Sequence, residues 1–294
     1  MKNSIPILSL ILGTFFWGTT FILVKETINL IPINYFLFIR FGLATCCLLP
    51  ILLYNHQFIT KSIILHGFIL GSILFASYYF QTVGLYFTSP ANAAFITGLN
   101  IIFIPIIGKQ LFNLRIIKTE WIAVLISLMG TILLLFDFQN FSINFGDTII
   151  LLTAITVALH VLLTEKYIHH NLYLILFIQF FTMTFWGGLF NLFSEPPEIT
   201  WYSNYIIIFT LFVTVLLATI FAFSAQLYAQ KKNISPSIIG VIFALEPVFA
   251  LIIDIIVGNI PNFLSLIGMF IIFFSILIAI YSIKIKEETI NNTN

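Results

Sequence analysis

Ten stretches of about 20 mostly apolar residues follow one another along this chain, and only short linkers separate them. A helix of about 20 residues crosses the ~30 Å hydrocarbon core of a bilayer. Lipid offers the backbone no hydrogen-bond partners, so such stretches must cross as helices. We place the spans at residues 6–24, 32–54, 65–87, 91–112, 118–136, 147–165, 172–193, 204–229, 235–258 and 262–283.

The amino-acid composition is typical of an integral membrane protein. The 294 residues are 60% hydrophobic and only 8% charged, whereas soluble domains carry about 25% charged residues. A net charge of +1 without a basic stripe excludes nucleic acid as a partner. The sequence therefore predicts an all-α integral membrane protein with ten transmembrane helices and membrane lipid around them.

Lysines and arginines are spread unevenly between the two ends of the predicted helices. With the N-terminus inside the cell, the inner segments hold Lys2, Lys61, Lys109, Arg115, Lys118, Lys166, Lys231, Lys232, Lys284 and Lys286. Lys25 is the one basic residue in an outer segment. Because cytoplasmic loops are rich in basic residues, we expect both termini in the cytoplasm. Abundant Ile, Phe and Asn suggest an AT-rich genome, and hence a bacterial inner membrane.

The second half of the chain repeats features of the first. At offsets of 141, 146 and 138 residues, the matches are 17–25 with 158–166, 89–90 with 235–236, and 127–130 with 265–268. We therefore expect a first five-helix repeat at 6–136, a second at 147–283, and a polar, disordered cytoplasmic tail at 284–294. Five is an odd number, so the second repeat must be inverted relative to the first, which is an architecture of secondary transporters.

Several short motifs carry a resemblance to a known family. They are Trp17-Gly18, Arg40-Phe41, Gly84-Leu85, Ser89 to Ala93, Gln226, Ser235-Pro236, Leu245 to Val248 and Gly268. With these motifs the chain resembles the drug/metabolite transporter superfamily, in its ten-helix branch with two EamA domains, over about residues 6–283. The resemblance implies transport of a small solute, from a superfamily range of amino acids, nucleobases, nucleosides, sugars and toxic cations. Where that family often has a Gly-Glu pair, this chain has Gly108-Lys109 and Gly258-Asn259.

Glu246 is the most informative single residue, since it lies with Pro247 in the middle of an apolar run. A carboxyl group at that depth costs about 3 kcal/mol, so it marks a site by default. Asn100 lies 146 residues earlier, at the equivalent place in the first repeat. We predict that Glu246 and Asn100 bind the substrate near the midplane. Glu246 could bind an ammonium group, exchange protons, or donate to backbone that Pro247 frees.

Other polar and aromatic residues inside the spans are weaker candidates. Substrate contacts are predicted for Gln81, Gln226, Trp17, Tyr79 and Phe95, with Tyr79 preferred over Tyr78. Each of these side chains could instead serve helix packing.

Three ionisable residues complete the candidates. His160 could relay protons or hydrogen-bond between helices. Arg40 could extend its charged end to the membrane surface, or it could pair with Asp254. We expect structural or gating roles for Arg40, Asp254 and Pro247. His169 and His170 fall in a loop, where we expect solvated side chains.

Enzyme motifs such as HExxH, GxSxG, Walker A and GxGxxG are absent from the sequence. We therefore expect no enzyme, no cofactor and no metal site. The expected function is secondary transport of a small organic metabolite, an amino acid or amine-like solute, by alternating access around a cavity lined by spans one, three, four, six, eight and nine. Transport of nucleobases or nucleosides, export of toxic compounds and, more distantly, a membrane-embedded enzyme stay open as alternatives. The oligomeric state is not predicted.

Overall fold

The part of the chain that the structure describes folds into ten long helices. The structure, a computed structural model, describes residues 4–135, 144–197, 199–256, 258 and 261–293. The helices are α1 Ser4–Ile28, α2 Ile33–Asn55, α3 Lys61–Phe87, α4 Pro90–Leu111, α5 Lys118–Leu135, α6 Phe145–Tyr167, α7 Leu172–Asn191, α8 Tyr205–Lys231, α9 Pro236–Phe243 with Leu245–Ile256, and α10 Phe263–Thr293. Nine of them are long and apolar enough in their described parts to cross a membrane. The tenth is α5.

The ten helices match the ten predicted spans, with small shifts at their ends. The clearest difference is α10, which continues to Thr293 through the tail that we expected to be disordered. Two short 3₁₀ turns, His56–Phe58 and Ile199–Ser203, lie in linkers. Large apolar side chains such as Phe270 and Leu277 are exposed along the outer helix faces, where lipid can cover them.

Helix pairing follows the two repeats. α5 packs along α10 and α2 packs along α7, while α3 packs along α6 as α1 packs along α8. We can replace each helix by its equivalent in the other repeat, α1 by α6, α2 by α7 and so on. Each of these four pairs then becomes itself or another of the four. Such a pattern is what a pseudo-two-fold axis produces, and five helices in each repeat require that axis to lie in the membrane plane. The predicted inverted repeat is therefore confirmed as the architecture of the fold.

Two glycine pairs bring helices of different repeats into close contact. A Cβ on Gly268 would lie 2.5 Å from the Gly130 carbonyl oxygen, between α10 and α5. A Cβ on Gly146 would lie 2.5 Å from the Gly84 carbonyl oxygen, between α6 and α3. Small residues let membrane helices approach until their backbones touch. No larger residue fits at these four positions without moving the helices apart.

Three helices are irregular near their centres. α4 is interrupted at Leu99, between Pro90–Gly98 and Asn100–Leu111, and α9 is interrupted at Ala244. In α9, Pro247 lies in the first turn of the second half-helix, where its missing N–H costs little. α8 contains a π-helical segment, Val213–Phe221. Broken and π-helical segments recur at functional sites of membrane transporters, and all three irregularities meet near the same cavity.

Candidate functional site

A narrow cavity lies at the centre of the bundle. Its walls come from α1, α3, α4, α6, α8 and α9, the six helices named from the sequence. The lining residues are Trp17, Thr20, Leu74, Ser77, Tyr78, Gln81, Thr97, Asn100, Val157, His160, Phe223, Gln226, Phe243 and Glu246. About 50 Å³ is open to the centres of water molecules, which is room for a few waters. The cavity is therefore narrow and largely enclosed in this conformation.

Glu246 contributes its carboxyl group to the cavity wall. It is only 7% exposed, and among the described residues none donates a hydrogen bond to its carboxyl oxygens or forms an ion pair with them. The suggested bond from Glu246 to backbone near Pro247 is therefore not present. Because the carboxyl group lies on the cavity wall, water or a solute in the cavity must supply its hydrogen bonds. Glu246 is thus held ready for a partner that the folded chain does not itself supply.

The backbone around Glu246 is fixed by close packing against α1. A Cβ on Gly18 would lie 2.5 Å from the Glu246 carbonyl oxygen and 3.0 Å from the Phe249 Cβ. Glycine at this position lets α1 reach the break in α9. The close approach sets the depth at which the Glu246 side chain enters the cavity.

Asn100 faces the same cavity from the break in α4. Its side-chain nitrogen donates to the Thr97 carbonyl oxygen at 2.9 Å, and its side-chain oxygen is buried without a partner. Gln81 adds a long hydrogen bond of 3.4 Å from its amide nitrogen to the Thr97 hydroxyl oxygen. Two amides therefore line one wall with hydrogen-bonding capacity to spare.

Aromatic rings form the rest of the wall around Trp17. The Trp17 indole N–H donates to the Ala218 carbonyl oxygen at 2.7 Å, inside the π-helical segment of α8. Its ring centroid lies 5.0 Å from that of Phe243 and 5.2 Å from that of Phe223. These distances suit edge-on aromatic packing. Trp17 therefore joins α1, α8 and α9 at one point of the cavity.

Arg40 lies behind the cavity wall and does not snorkel to the membrane surface. It is 2% exposed, and its guanidinium carbon lies 4.5 Å above the Tyr78 ring. Its Nε donates to the Thr219 hydroxyl at 3.1 Å, while one terminal nitrogen is buried without a partner. The suggested partner Asp254 belongs to α9, but its side chain lies outside the described part. Arg40 thus supports Tyr78 and the π-helical segment.

The structure places Tyr78, and not the preferred Tyr79, at the cavity wall. Successive helix residues point about 100° apart, so only one of the two can face the centre. Tyr79 instead packs against Phe190, with ring centroids 5.0 Å apart, and lines a depression between the α1–α2 linker and α3. Phe95 does not line the central cavity either.

His160 and Gln226 lie where the cavity closes toward the face that carries most lysines, which we call the lysine-rich face. His160 Nε2 is 2.9 Å from the Gln179 side-chain oxygen. Gln226 donates to Gln230 at 3.3 Å, and Gln230 donates to the Val161 carbonyl oxygen at 2.9 Å and to the Glu165 carboxylate at 3.2 Å. Hydrogen bonds between α8 and α6 therefore seal this end.

Sequence reasoning missed several members of this site. Thr97 and Gln230 were not singled out, yet Thr97 accepts from the predicted Gln81 and Asn100, and Gln230 links the predicted Gln226 to the Val161 carbonyl oxygen. Gln230 follows Gln226 by four residues, which places both side chains on one helix face. That spacing could have revealed Gln230. Thr97 gives no comparable signal, because threonine is common in these helices.

Comparison with known proteins adds a family to this geometry. The profile of the EamA-like transporter family matches residues 4–136 and 144–281. An uncharacterised transporter of Archaeoglobus fulgidus is 29% identical over 275 residues, which cover 92% of this chain and 84% of the relative. The uncharacterised transporter YdfC of Bacillus subtilis is 28% identical over 207 residues, covering 68% of this chain and 66% of the relative.

A solved crystal structure extends the likeness to three dimensions. It superposes with a TM-score of 0.77 over 94% of this chain and 96% of the other, at 16% identity. At that identity the likeness concerns the fold alone. The match spans both repeats and therefore the whole frame that surrounds the cavity.

Proposed function

Because the chain belongs to the EamA-like transporter family, we propose that it is a secondary transporter of a small organic solute that carries an amino group. An amino acid or a similar amine is the expected substrate class. The observation that supports this proposal most strongly is the Glu246 carboxyl group, buried on the cavity wall without a partner in the described chain. An ammonium group is the simplest solute group that could pair with it.

The other lining residues fit the rest of such a solute. An ion pair in a buried cavity is much stronger than in water, provided that both charges are paired. The rings of Trp17, Tyr78, Phe223 and Phe243 offer faces for a cation and for apolar substituents. Asn100 and Gln81 could donate from their amides to a carboxylate or accept from other polar groups.

Proton coupling follows from the same carboxyl group. A proton and the ammonium group of the substrate would compete for the Glu246 oxygens, so movement of one would drive the other. His160 is the second candidate for this relay, because it lines the cavity and hydrogen-bonds to Gln179. Energy would then come from an ion gradient, and no enzymatic step is needed.

Alternating access would proceed by movement of the inverted repeats around the cavity. At the lysine-rich face, Gln230 and Glu165 close the path between α8 and α6. At the opposite face, a depression lined by Tyr79 and residues 28–34 lies above the bundle. We place the lysine-rich face and both termini in the cytoplasm of a bacterium, with the protein in its inner membrane.

Uptake into liposomes tests the proposal. A thermal-shift screen of amino acids and amines first identifies a ligand, because a ligand stabilises the state that it binds. Counterflow of that ligand, labelled, is then compared between wild type, Glu246→Gln and the control Glu120→Gln. Glu120 is a buried carboxyl group outside the cavity, bonded to Ser235 and 3.6 Å from the Lys286 ammonium. Equal counterflow in wild type and Glu246→Gln would exclude the proposed role.

A nucleobase or nucleoside is the second candidate substrate. The observation in its favour is the pairing of aromatic walls with the Asn100 and Gln81 amides, which could stack on a base and hydrogen-bond to its edge. The same screen separates the two classes. Stabilisation by uncharged bases but not by amines would favour this alternative.

A further inference from the structure

Three histidines meet at the lysine-rich face, away from the central cavity. His66 lies near the start of α3, and His169 and His170 lie in the linker between α6 and α7. One ring nitrogen from each falls within 4.8 Å of the other two. His66 Nδ1 and His170 Nε2 are only 2.7 Å apart. Three of the five histidines in the chain thus share one point.

Neighbouring residues hold this cluster in place. The His66 ring stacks on the Tyr167 ring with centroids 3.8 Å apart and an angle of 10°. The linker is short, because α6 ends at Tyr167 and Asn171 caps α7 through bonds to the Tyr173 and Leu174 N–H groups. His66 and His170 are half-buried, and His169 is exposed. The expectation that both loop histidines are solvated therefore holds fully for His169 and in part for His170.

We propose that His66, His169 and His170 bind one Zn²⁺ ion, with water as the fourth ligand. Imidazole nitrogens are preferred ligands of Zn²⁺, and three protein ligands plus water make a common tetrahedral arrangement. Mg²⁺ and Ca²⁺ require oxygen ligands, which this cluster does not offer. The site departs from the absence of metal expected from the sequence and does not depend on the transport proposal.

The geometry requires only small movements. With Zn–N bonds of about 2.0–2.1 Å, two nitrogens on a tetrahedral ion lie about 3.3 Å apart. The His66–His170 pair at 2.7 Å must open slightly. The His169 ring must turn inward, which an exposed side chain can do. The nearby Lys166 ammonium, 5.8 Å from the Tyr167 centroid, repels a second cation and so weakens binding.

Bound Zn²⁺ would join two parts of the molecule that belong to different repeats. His66 is carried by α3 of the first repeat, and the other two ligands follow α6 of the second. An ion that binds only this arrangement stabilises it against others. We therefore expect Zn²⁺ to raise the thermal unfolding temperature of the purified protein.

The test is a Zn²⁺ titration of purified protein without a polyhistidine tag, in competition with a chromophoric chelator. We expect one Zn²⁺ per chain, and at least tenfold weaker binding in His169→Ala and His66→Gln. His56→Ala is the matched control, since His56 is exposed in the α2–α3 linker on the same face, and it should bind as wild type does. Co²⁺ substitution should give the visible absorption bands of a tetrahedral site.

Three results would overturn the proposal. The first is an absence of Zn²⁺ binding by the wild-type protein. The second is equal affinity in wild type and His169→Ala, a change at an exposed residue that should not affect folding. The third is a loss of binding in His169→Ala with none in His66→Gln, which would mean a loop site that does not include α3.

Discussion

α4 and α9 occupy equivalent places in the two repeats, and both break near their centres. The side chains at the two breaks, however, are hydrogen-bonded differently. In α4 the Asn100 side chain donates to the Thr97 carbonyl oxygen at 2.9 Å, so the side chain at the break is tied to its own helix. In α9 the equivalent residue is Glu246, whose carboxyl group has no partner among the described residues. The side chain at the first break is thus half satisfied, with its oxygen left unpaired, and the side chain at the second makes no bond to the described chain.

The difference separates stability from function. A hydrogen bond to backbone contributes about 1 kcal/mol net, whereas a buried group without a partner costs about 1–3 kcal/mol. The Asn100 amide makes one such bond and leaves its oxygen unpaired, whereas the Glu246 carboxyl group makes no bond to the described chain. A group that weakens the fold at a cavity is where a functional role is expected. We infer that the broken helix has the same backbone form in both repeats but a different role in each.

The largest expected effect is on transport in Glu246→Gln. Removal of one charge from a buried ion pair costs about 3–5 kcal/mol, so counterflow of the amine should fall at least a hundredfold. The unfolding temperature should stay the same or rise, because no internal bond is lost. Rates from proteoliposomes and thermal unfolding in detergent give the two quantities. A large loss of stability would contradict the contrast between the two breaks.

Gly18→Ala should have the next largest effect, and it tests the α9 side of the comparison. The new Cβ would lie 2.5 Å from the Glu246 carbonyl oxygen, so α1 must move away from the break. Overpacking of this kind costs about 1–3 kcal/mol. Gly42→Ala is the control, since its Cβ would meet only the Thr184 methyl at 3.6 Å. Equal unfolding temperatures of the two variants would show that the α1–α9 contact is loose.

Asn100→Ala should show the opposite balance from Glu246→Gln. The variant loses the bond to the Thr97 carbonyl oxygen and also removes the unpaired side-chain oxygen, so stability should fall by no more than about 1 kcal/mol. Counterflow should fall less than tenfold, because no charge is lost. Thermal unfolding and the same counterflow assay decide the matter. If transport disappears while stability is unchanged, Asn100 and Glu246 play the same role and the comparison fails.

Pro247→Ala should have the smallest effect. Pro247 lies in the first turn of the second half of α9, where a missing N–H is tolerated. In α4 the equivalent residue is Ile101, and the proline of that half-helix, Pro105, lies one turn further along. We expect the unfolding free energy to change by less than about 1 kcal/mol. Hydrogen exchange of residues 243–248 measures whether α9 stays broken. Strong protection across Ala244 would show that the proline itself makes the break.

Much of the fold could be predicted because a bilayer permits few structures. Apolar length defined the ten helices, and the odd number of helices in each repeat required inversion. The same repeat placed Asn100 opposite Glu246, and both line the cavity. These features depend on periodicity and depth, which a sequence displays directly.

Side-chain direction and contacts between distant helices could not be predicted. In a helix that is apolar on all sides, nothing in the pattern shows which face points inward, so the choice between Tyr78 and Tyr79 had no firm basis. The contact between Arg40 and Thr219 depends on the π-helical segment of α8. The histidine cluster requires that α3 meet the α6–α7 linker, which only the packed structure shows.

The two glycine contacts described above also bear on how the halves stay together. Gly130 meets Gly268, and Gly84 meets Gly146, so each contact joins one repeat to the other. Contacts between helix surfaces therefore hold the two halves together. The chain passes from the first repeat to the second between residues 135 and 144. Two separate genes, one ending and one beginning within that stretch, should therefore yield fragments that assemble when expressed together.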